Sequence, residues 1–203
     1  MHAVVFDIDG TILQSAAVDD DLYRDAVLSV LGRVRLRPSL TDYDYVSDSG
    51  ILSQILIDNA LGNNADLVSA VKSQFVKALS AHIDANGPFV EVPGAKRTLQ
   101  RLTRSADHCV AIATGGWRDS ALLKLQTAGF GEIDIPIATS DDARDRKEIM
   151  RIALSRLGST FSSVTYFGDG PWDRDATSAL GWRFVAVGPG LGGLVNYDDL
   201  DDI

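Results

Sequence analysis

Two aspartates one residue apart close the first apolar run of the chain, Val4-Val5-Phe6-Asp7-Ile8-Asp9-Gly10-Thr11. Residues 3–9 read as a buried strand, and strand alternation sends Asp7 and Asp9 to the same face. Side-by-side acids repel unless a cation sits between them or one keeps its proton. Gly10 lets the backbone turn directly after them. A carboxylate pair at a strand end, followed by a turn, suits metal-assisted chemistry better than packing.

Three further stretches carry compatible groups. Thr114-Gly115-Gly116 offers a hydroxyl and a flexible turn whose N–H groups can cradle an anion. Lys147 lies in Arg144-Asp145-Arg146-Lys147-Glu148, and Gly168-Asp169-Gly170-Pro171-Trp172-Asp173 adds two more acids. Oxygen donors without His or Cys favour Mg²⁺. Lysine, threonine and backbone N–H together form a phosphate-binding set. Each stretch alone is ordinary: Asp-x-Asp occurs in many surface turns, Gly-Asp-Gly-Pro is a common turn, and Lys147 is one of several charges at a helix start. The case rests on all four falling at one end of one sheet.

That sheet is legible in the pattern of elements. After residue 93, helices near 95–102, 120–128, 148–157 and 174–180 alternate with strands near 109–114, 135–139, 163–167 and 183–187. Such alternation predicts an α/β fold, a doubly wound parallel sheet with helices on both faces. Ligands in these sheets bind beyond the carboxyl ends of the strands. Residues 14–90 differ, with helix-period apolar positions such as Leu22, Ala26, Val27, Leu67, Val71, Phe75 and Leu79. They predict an all-helical domain inserted between the first strand and the rest, leaving 1–13 and 91–203 as the α/β core. Residues 14–18 and 86–93 would act as paired hinges.

Composition narrows the function classes. The 203 residues are 45% hydrophobic, enough for a substantial core, and the net charge of −9 speaks against nucleic acid as a partner. No apolar run is long enough to span a membrane, and the N-terminus reads as a strand rather than a signal peptide, so a cytoplasmic protein is expected. Three scattered histidines form no ligand spacing, and the single Cys109 lies in an apolar run as a core thiol. The tail Asp198-Asp199-Leu200-Asp201-Asp202 reads as a solvated acidic terminus.

With these motifs in order, the chain resembles the haloacid dehalogenase superfamily, in its phosphoglycolate phosphatase-like branch with a helical cap. The resemblance rests on Asp7-Ile8-Asp9-Gly10-Thr11, then Thr114, Lys147, and Gly168-Asp169 with Asp173. It implies a Rossmann-like core and gives Asp7 the role of nucleophile. Asp9 is then the acid–base, its backbone carbonyl also a metal ligand. Asp7, Asp169 and Asp173 would complete the Mg²⁺ site. Thr114 would bond a phosphoryl oxygen, Lys147 would neutralise Asp7, and the N–H groups of Ile8 and Gly115 would join the cradle. Dehalogenases lack the second aspartate, so Asp9 favours phosphoryl transfer. Two departures stand out: Lys147-Glu148-Ile149-Met150 replaces the Lys-Pro-x-Pro of relatives, and the second motif continues Gly115-Gly116-Trp117.

The expected function is a Mg²⁺-dependent phosphatase acting on a small phosphorylated metabolite through an aspartyl-phosphate, as a monomer or homodimer. A phosphomutase using the same residues, and a silent binding or regulatory domain, are the alternatives. Ser47-Asp48-Ser49-Gly50 in the cap is the candidate for substrate contact, against a plain helix N-cap. Trp117 and Trp172 flank two motifs as candidate pocket walls, against ordinary packing.

Overall fold

The structure, a computed structural model, describes residues 1–62, 64–131 and 134–200; the expectation for Asp201 and Asp202 lies outside them. Five parallel strands form one sheet in the order β3-β2-β1-β4-β5. They are β1 (His2–Phe6), β2 (His108–Ala113), β3 (Ile137–Ala138), β4 (Ser163–Gly168) and β5 (Arg183–Ala186). Central β1 pairs with β2 on one side and β4 on the other. The chain therefore builds outward in one direction through β3 and then reverses through β4. The switch point lies between β1 and β4, where open α/β sheets form a crevice.

The strands are apolar on both faces because both are covered. Val4 and Phe6 join one core cluster with Leu99, Ala121 and Leu125, from α4 (Ala95–Thr103) and α5 (Arg118–Thr127). Val5 points the other way, into a cluster with Ile149, Met150 and Ala176 from α6 (Arg146–Ser155) and α7 (Pro171–Leu180).

β1 ends three residues earlier than the sequence pattern suggests. The amides of Thr11, Ile12 and Leu13 all donate to the Ile8 carbonyl, and Gly10 N–H donates to Leu13 O at 2.8 Å. This turn, not strand alternation, sets the direction of Asp9. Gly10 is required in it: its φ is +73°, and a Cβ there would lie 2.0 Å from Asp169 Oδ2.

Between β1 and α4 the chain is helical: α1 (Ala16–Leu31), a 3₁₀ turn at Leu40–Asp42, α2 (Asp48–Asp58) and α3 (Ala65–Asn86). Tyr23 and Val27 of α1, Ile51, Leu52 and Ile55 of α2, and Val71 and Phe75 of α3 form a cluster of their own, joined by Trp117. Further along α3, Leu79 and Ile83 pack on the α4/α5 side of the sheet. The chain leaves and returns side by side, with Gln14 N–H donating to Val90 O at 2.9 Å and Val92 N–H to Ile12 O at 2.8 Å. Cys109 is half-buried.

Candidate active site

Asp7 follows directly on the last residue of β1 and is 3% exposed. Its amide donates to Phe167 O at 2.9 Å, which fixes the backbone at the switch point. Asp169 and Asp173 come from the β4–α7 connection and the first turn of α7. One carboxylate oxygen from each of Asp7, Asp169 and Asp173 lies within 4.8 Å of the others. Burial and mutual repulsion hold the group reluctant to ionise. Burial pushes Asp7 well above the usual carboxylate range, against the pull of Arg146. Asp169 is pushed up to about 7 by burial and then by Asp173. Asp173 is raised by burial, although Arg146 opposes it. Three convergent oxygen donors short of positive charge are chemically suited to a hard divalent cation.

The cation that faces Asp7 is Arg146. Its Nη1 lies 3.4 Å from Asp7 Oδ1 and its Nε 3.2 Å from Asp173 Oδ1. Burial alone would favour losing its proton, but Asp173 and Asp7 outweigh that and raise its affinity for it. Lys147, the residue expected in this place, points away. It pairs with Asp145 at 3.4 Å, and its side chain is 41% exposed. The reason is helical geometry. The buried stripe of α6 is Arg146, Ile149, Met150 and Ala153, spaced as one helix face. Lys147 stands one step round the helix from that face.

Thr114 directly follows β2 and is buried. Its Oγ1 accepts from Gly116 N–H at 3.1 Å, which leaves the hydroxyl proton free to donate. Gly115 lines the same crevice, and a Cβ there would come within 3.0 Å of the Arg146 guanidinium. Ile8 is fully buried between the two aspartates.

Asp9 has a separate set of partners. Lys124 Nζ donates to both of its carboxylate oxygens at 2.6 Å, and Ser15 Oγ donates to Oδ1 at 2.5 Å. Lys124 also donates to Asp19 Oδ1 at 2.5 Å. Burial alone would weaken its hold on the proton, but Asp19 and Asp9 together strengthen it. Asp19 is itself raised to about 6, by burial first and then by Asp9. Lys124, Asp19, Ser15 and Arg146 are absent from the residues expected from motifs. One signal for Lys124 is present in the sequence: it falls within the core-facing stripe Ser120, Ala121, Lys124, Leu125 of α5, where a lysine needs a partner.

Ser47, Asp48 and Ser49 do two jobs at once. Ser47 caps α2, accepting from Gly50 N–H at 3.2 Å, and donates to Arg144 O at 2.7 Å. Asp48 N–H donates to Gly115 O at 2.8 Å, and Asp48 Oδ2 accepts from Trp117 N–H at 2.8 Å. Trp117 Nε1–H donates to Ser49 Oγ at 2.8 Å. The turn thus clasps the helical insertion to the loop after β2. Trp117 is 1% exposed and packs against Tyr23 and Phe75, so its role is packing. Trp172 lines the crevice.

The crevice is a cavity of about 150 Å³ bounded by Asp7, Asp9, Thr114, Arg146, Asp169 and the insertion residues Asp19, Tyr23, Ser47 and Asp48. A larger groove of about 1240 Å³ runs along α3, but none of Asp7, Asp9 or Asp169 lines it. The small crevice is where Asp7, Asp9, Thr114, Arg146 and Asp169 converge.

Fold and crevice together define an α/β protein with an acidic crevice at the carboxyl end of its central strand. Residues 1–181 match the haloacid dehalogenase-like hydrolases, and the chain belongs to that family. No curated protein sequence matches the chain. Among solved structures, a hydrolase from Pseudomonas syringae is 19% identical with a TM-score of 0.71, covering 92% of this chain and 84% of the other. CbbY from Rhodobacter sphaeroides, solved in complex with phosphate, is 23% identical with a TM-score of 0.68, covering 91% and 84%. A Lactobacillus plantarum protein assigned as a phosphoglycolate phosphatase is 19% identical with a TM-score of 0.62, covering 99% and 92%. Among the described residues no helix is long and apolar enough to cross a membrane.

Proposed function

We propose that the chain is a Mg²⁺-dependent phosphatase that hydrolyses a small phosphorylated metabolite through an aspartyl-phosphate. The observation that carries this reading is the split between the two aspartates. Asp7 sits beside Arg146 and the Asp169–Asp173 pair, whereas Asp9 is held apart by Lys124 and Ser15. Two carboxylates in two environments suit two different tasks.

In the first step a carboxylate oxygen of Asp7 attacks phosphorus. The bond to the leaving oxygen breaks, and Asp9 gives that oxygen a proton. In the second step water attacks the phosphorus of the aspartyl-phosphate. Asp9 takes the water proton, the bond to Asp7 breaks, and inorganic phosphate leaves. The Thr114 hydroxyl, the Arg146 guanidinium and the N–H groups of Ile8 and Gly115 hold the phosphoryl oxygens. Most of the rate comes from this positioning and from charge neutralisation. Mg²⁺ held by Asp7, Asp169 and Asp173, with the Asp9 carbonyl, would supply the charge that lets an anionic nucleophile approach a dianion. The helical insertion acts as a cap that docks on the crevice and excludes water.

The test is hydrolysis of 4-nitrophenyl phosphate with and without Mg²⁺, in the natural chain and in Asp7→Asn. The natural chain is expected to turn over only with the metal. Asp7→Asn is expected to show no turnover and no covalent intermediate. Near-normal turnover by Asp7→Asn would sink the mechanism.

A further inference from the structure

Lys124 is fully buried, and it spends its donors entirely within the protein. Two N–H bonds go to Oδ1 and Oδ2 of Asp9, each at 2.6 Å, and the third goes to Asp19 Oδ1 at 2.5 Å. None is left for a substrate. A buried lysine carries a large desolvation cost, and an apolar side chain of similar volume would fill the space more cheaply. Its retention calls for a role in what it holds.

What it holds is the acid–base carboxylate, in a defined orientation. Among the described residues, Asp9 Oδ1 has two donors, Lys124 and Ser15, and Oδ2 has one, Lys124. Oδ2 is also the Asp9 oxygen near Gly116, a residue of the crevice wall. The position of a notional Cβ on Gly116 lies 3.9 Å from Asp9 Oδ2, 3.5 Å from Thr114 Oγ1 and 3.9 Å from Asp48 Oδ2. Oδ2 therefore shares the wall of Gly116 with the hydroxyl that grips the phosphoryl group. The partners come from two parts of the chain, the core and the start of the insertion. Lys124 belongs to α5 of the core, Ser15 is the residue before α1, and Asp19 lies in the first turn of α1 in the insertion.

We propose that Lys124 is a positioning residue: it clamps Asp9 with Oδ2 turned toward the leaving-group oxygen and, through Asp19, makes that orientation conditional on the docked cap. When α1 swings away, Ser15 and Asp19 move with it and Asp9 loses its alignment. Proton donation is thereby confined to the closed crevice. This inference rests on the phosphatase reading above.

A general acid matters most for a poor leaving group. The experiment is therefore a leaving-group series of aryl phosphates, from 4-nitrophenyl to unsubstituted phenyl phosphate, whose phenol is about as weak an acid as tyrosine (about 10). In Lys124→Met, kcat on phenyl phosphate is expected to fall by about 10²-fold or more, and on 4-nitrophenyl phosphate by only about fivefold. In an Asp9→Asn background, adding Lys124→Met is expected to cost nothing further on either ester, since the group it positions no longer carries a proton. Should Lys124→Met fail to fold, Lys124→Met/Asp19→Asn removes one of the two stranded carboxylates and is compared with Asp19→Asn alone. Equal losses on both esters, or a further loss in the Asp9→Asn background, would mark Lys124 as structural and overturn the proposal. If the natural chain hydrolysed neither ester, the phosphatase reading would fall and this one with it. A natural chain active on both, with no leaving-group dependence in the variant, refutes the positioning role alone.

Discussion

Arg146 and Lys147 are adjacent cations with opposite surroundings, and the difference is measurable. Arg146→Ala is expected to lower kcat on 4-nitrophenyl phosphate by about 10²-fold or more, because the guanidinium beside Asp7 is gone. Lys147→Ala is expected to stay within about twofold, since its ammonium is engaged with the half-exposed Asp145. Steady-state kinetics on the two variants decide the point, and the reverse result would return the site to Lys147. Removing Arg146 also strands buried carboxylates, which costs about 3–5 kcal/mol when no other cation replaces it. The position was readable without a structure: Ile149, Met150 and Ala153 project back at helical spacing onto Arg146, not Lys147. The motif points to Lys147, whereas the amphipathic stripe puts Arg146 on the buried face beside Asp7. The titration of the site gives a second expectation. Burial raises Asp19 to about 6 and Asp169 to about 7, from 3.8 in the unfolded chain. Without metal, the folded protein then binds more protons than the unfolded chain across this interval. The stabilisation is fully present below the unfolded value and is lost as the pH rises through 6 and 7. The Tm of the metal-free protein is expected to fall between about pH 5 and pH 8. Added Mg²⁺ should recover more of it at pH 8 than at pH 5, because ligands bind metal deprotonated. A flat metal-free profile would contradict the protonation assigned to these carboxyls.

At the scale of elements, the N-terminus of α2 joins insertion to core. Ser47, Asp48 and Ser49 bond Arg144, Gly115 and Trp117, and Ser47 and Asp48 also line the crevice. Replacing all three with alanine is expected to reorder kcat/KM across a panel of alkyl phosphates. 4-Nitrophenyl phosphate, which asks little of the cap, should lose less than about tenfold. A uniform loss on every ester would mean that the turn only docks the insertion. The parallel sheet and its alternating helices were legible because short, mostly apolar runs alternate with turn residues, as in Tyr166-Phe167 before Gly168-Asp169-Gly170. The end of β1 was not. Asp7-Ile8-Asp9 has strand-like alternation, but the Ile8 carbonyl gathers three amides into a turn, and no propensity of Ile8 announces that. Asp19 was illegible for another reason. It is one of three consecutive acids, Asp19-Asp20-Asp21, and only the packing of α1 selects which meets Lys124.

The whole molecule carries a net charge of −9, and three of its acids converge in the crevice. A phosphate dianion approaching it is repelled unless a cation intervenes. Chelation is therefore expected to abolish turnover and Mg²⁺ to restore it, with no change in fold by circular dichroism. Full activity in chelator would remove Asp169 from the metal site. The pairing of the two connecting segments has a consequence for modularity. Gln14 and Val90 are hydrogen-bonded neighbours, and Leu13 bridges Glu91 in antiparallel fashion. The insertion is thus grafted onto the core at the open end of a two-stranded ribbon. Both connections of residues 15–89 therefore pass through one junction, beside Leu79 and Ile83, which pack on the sheet.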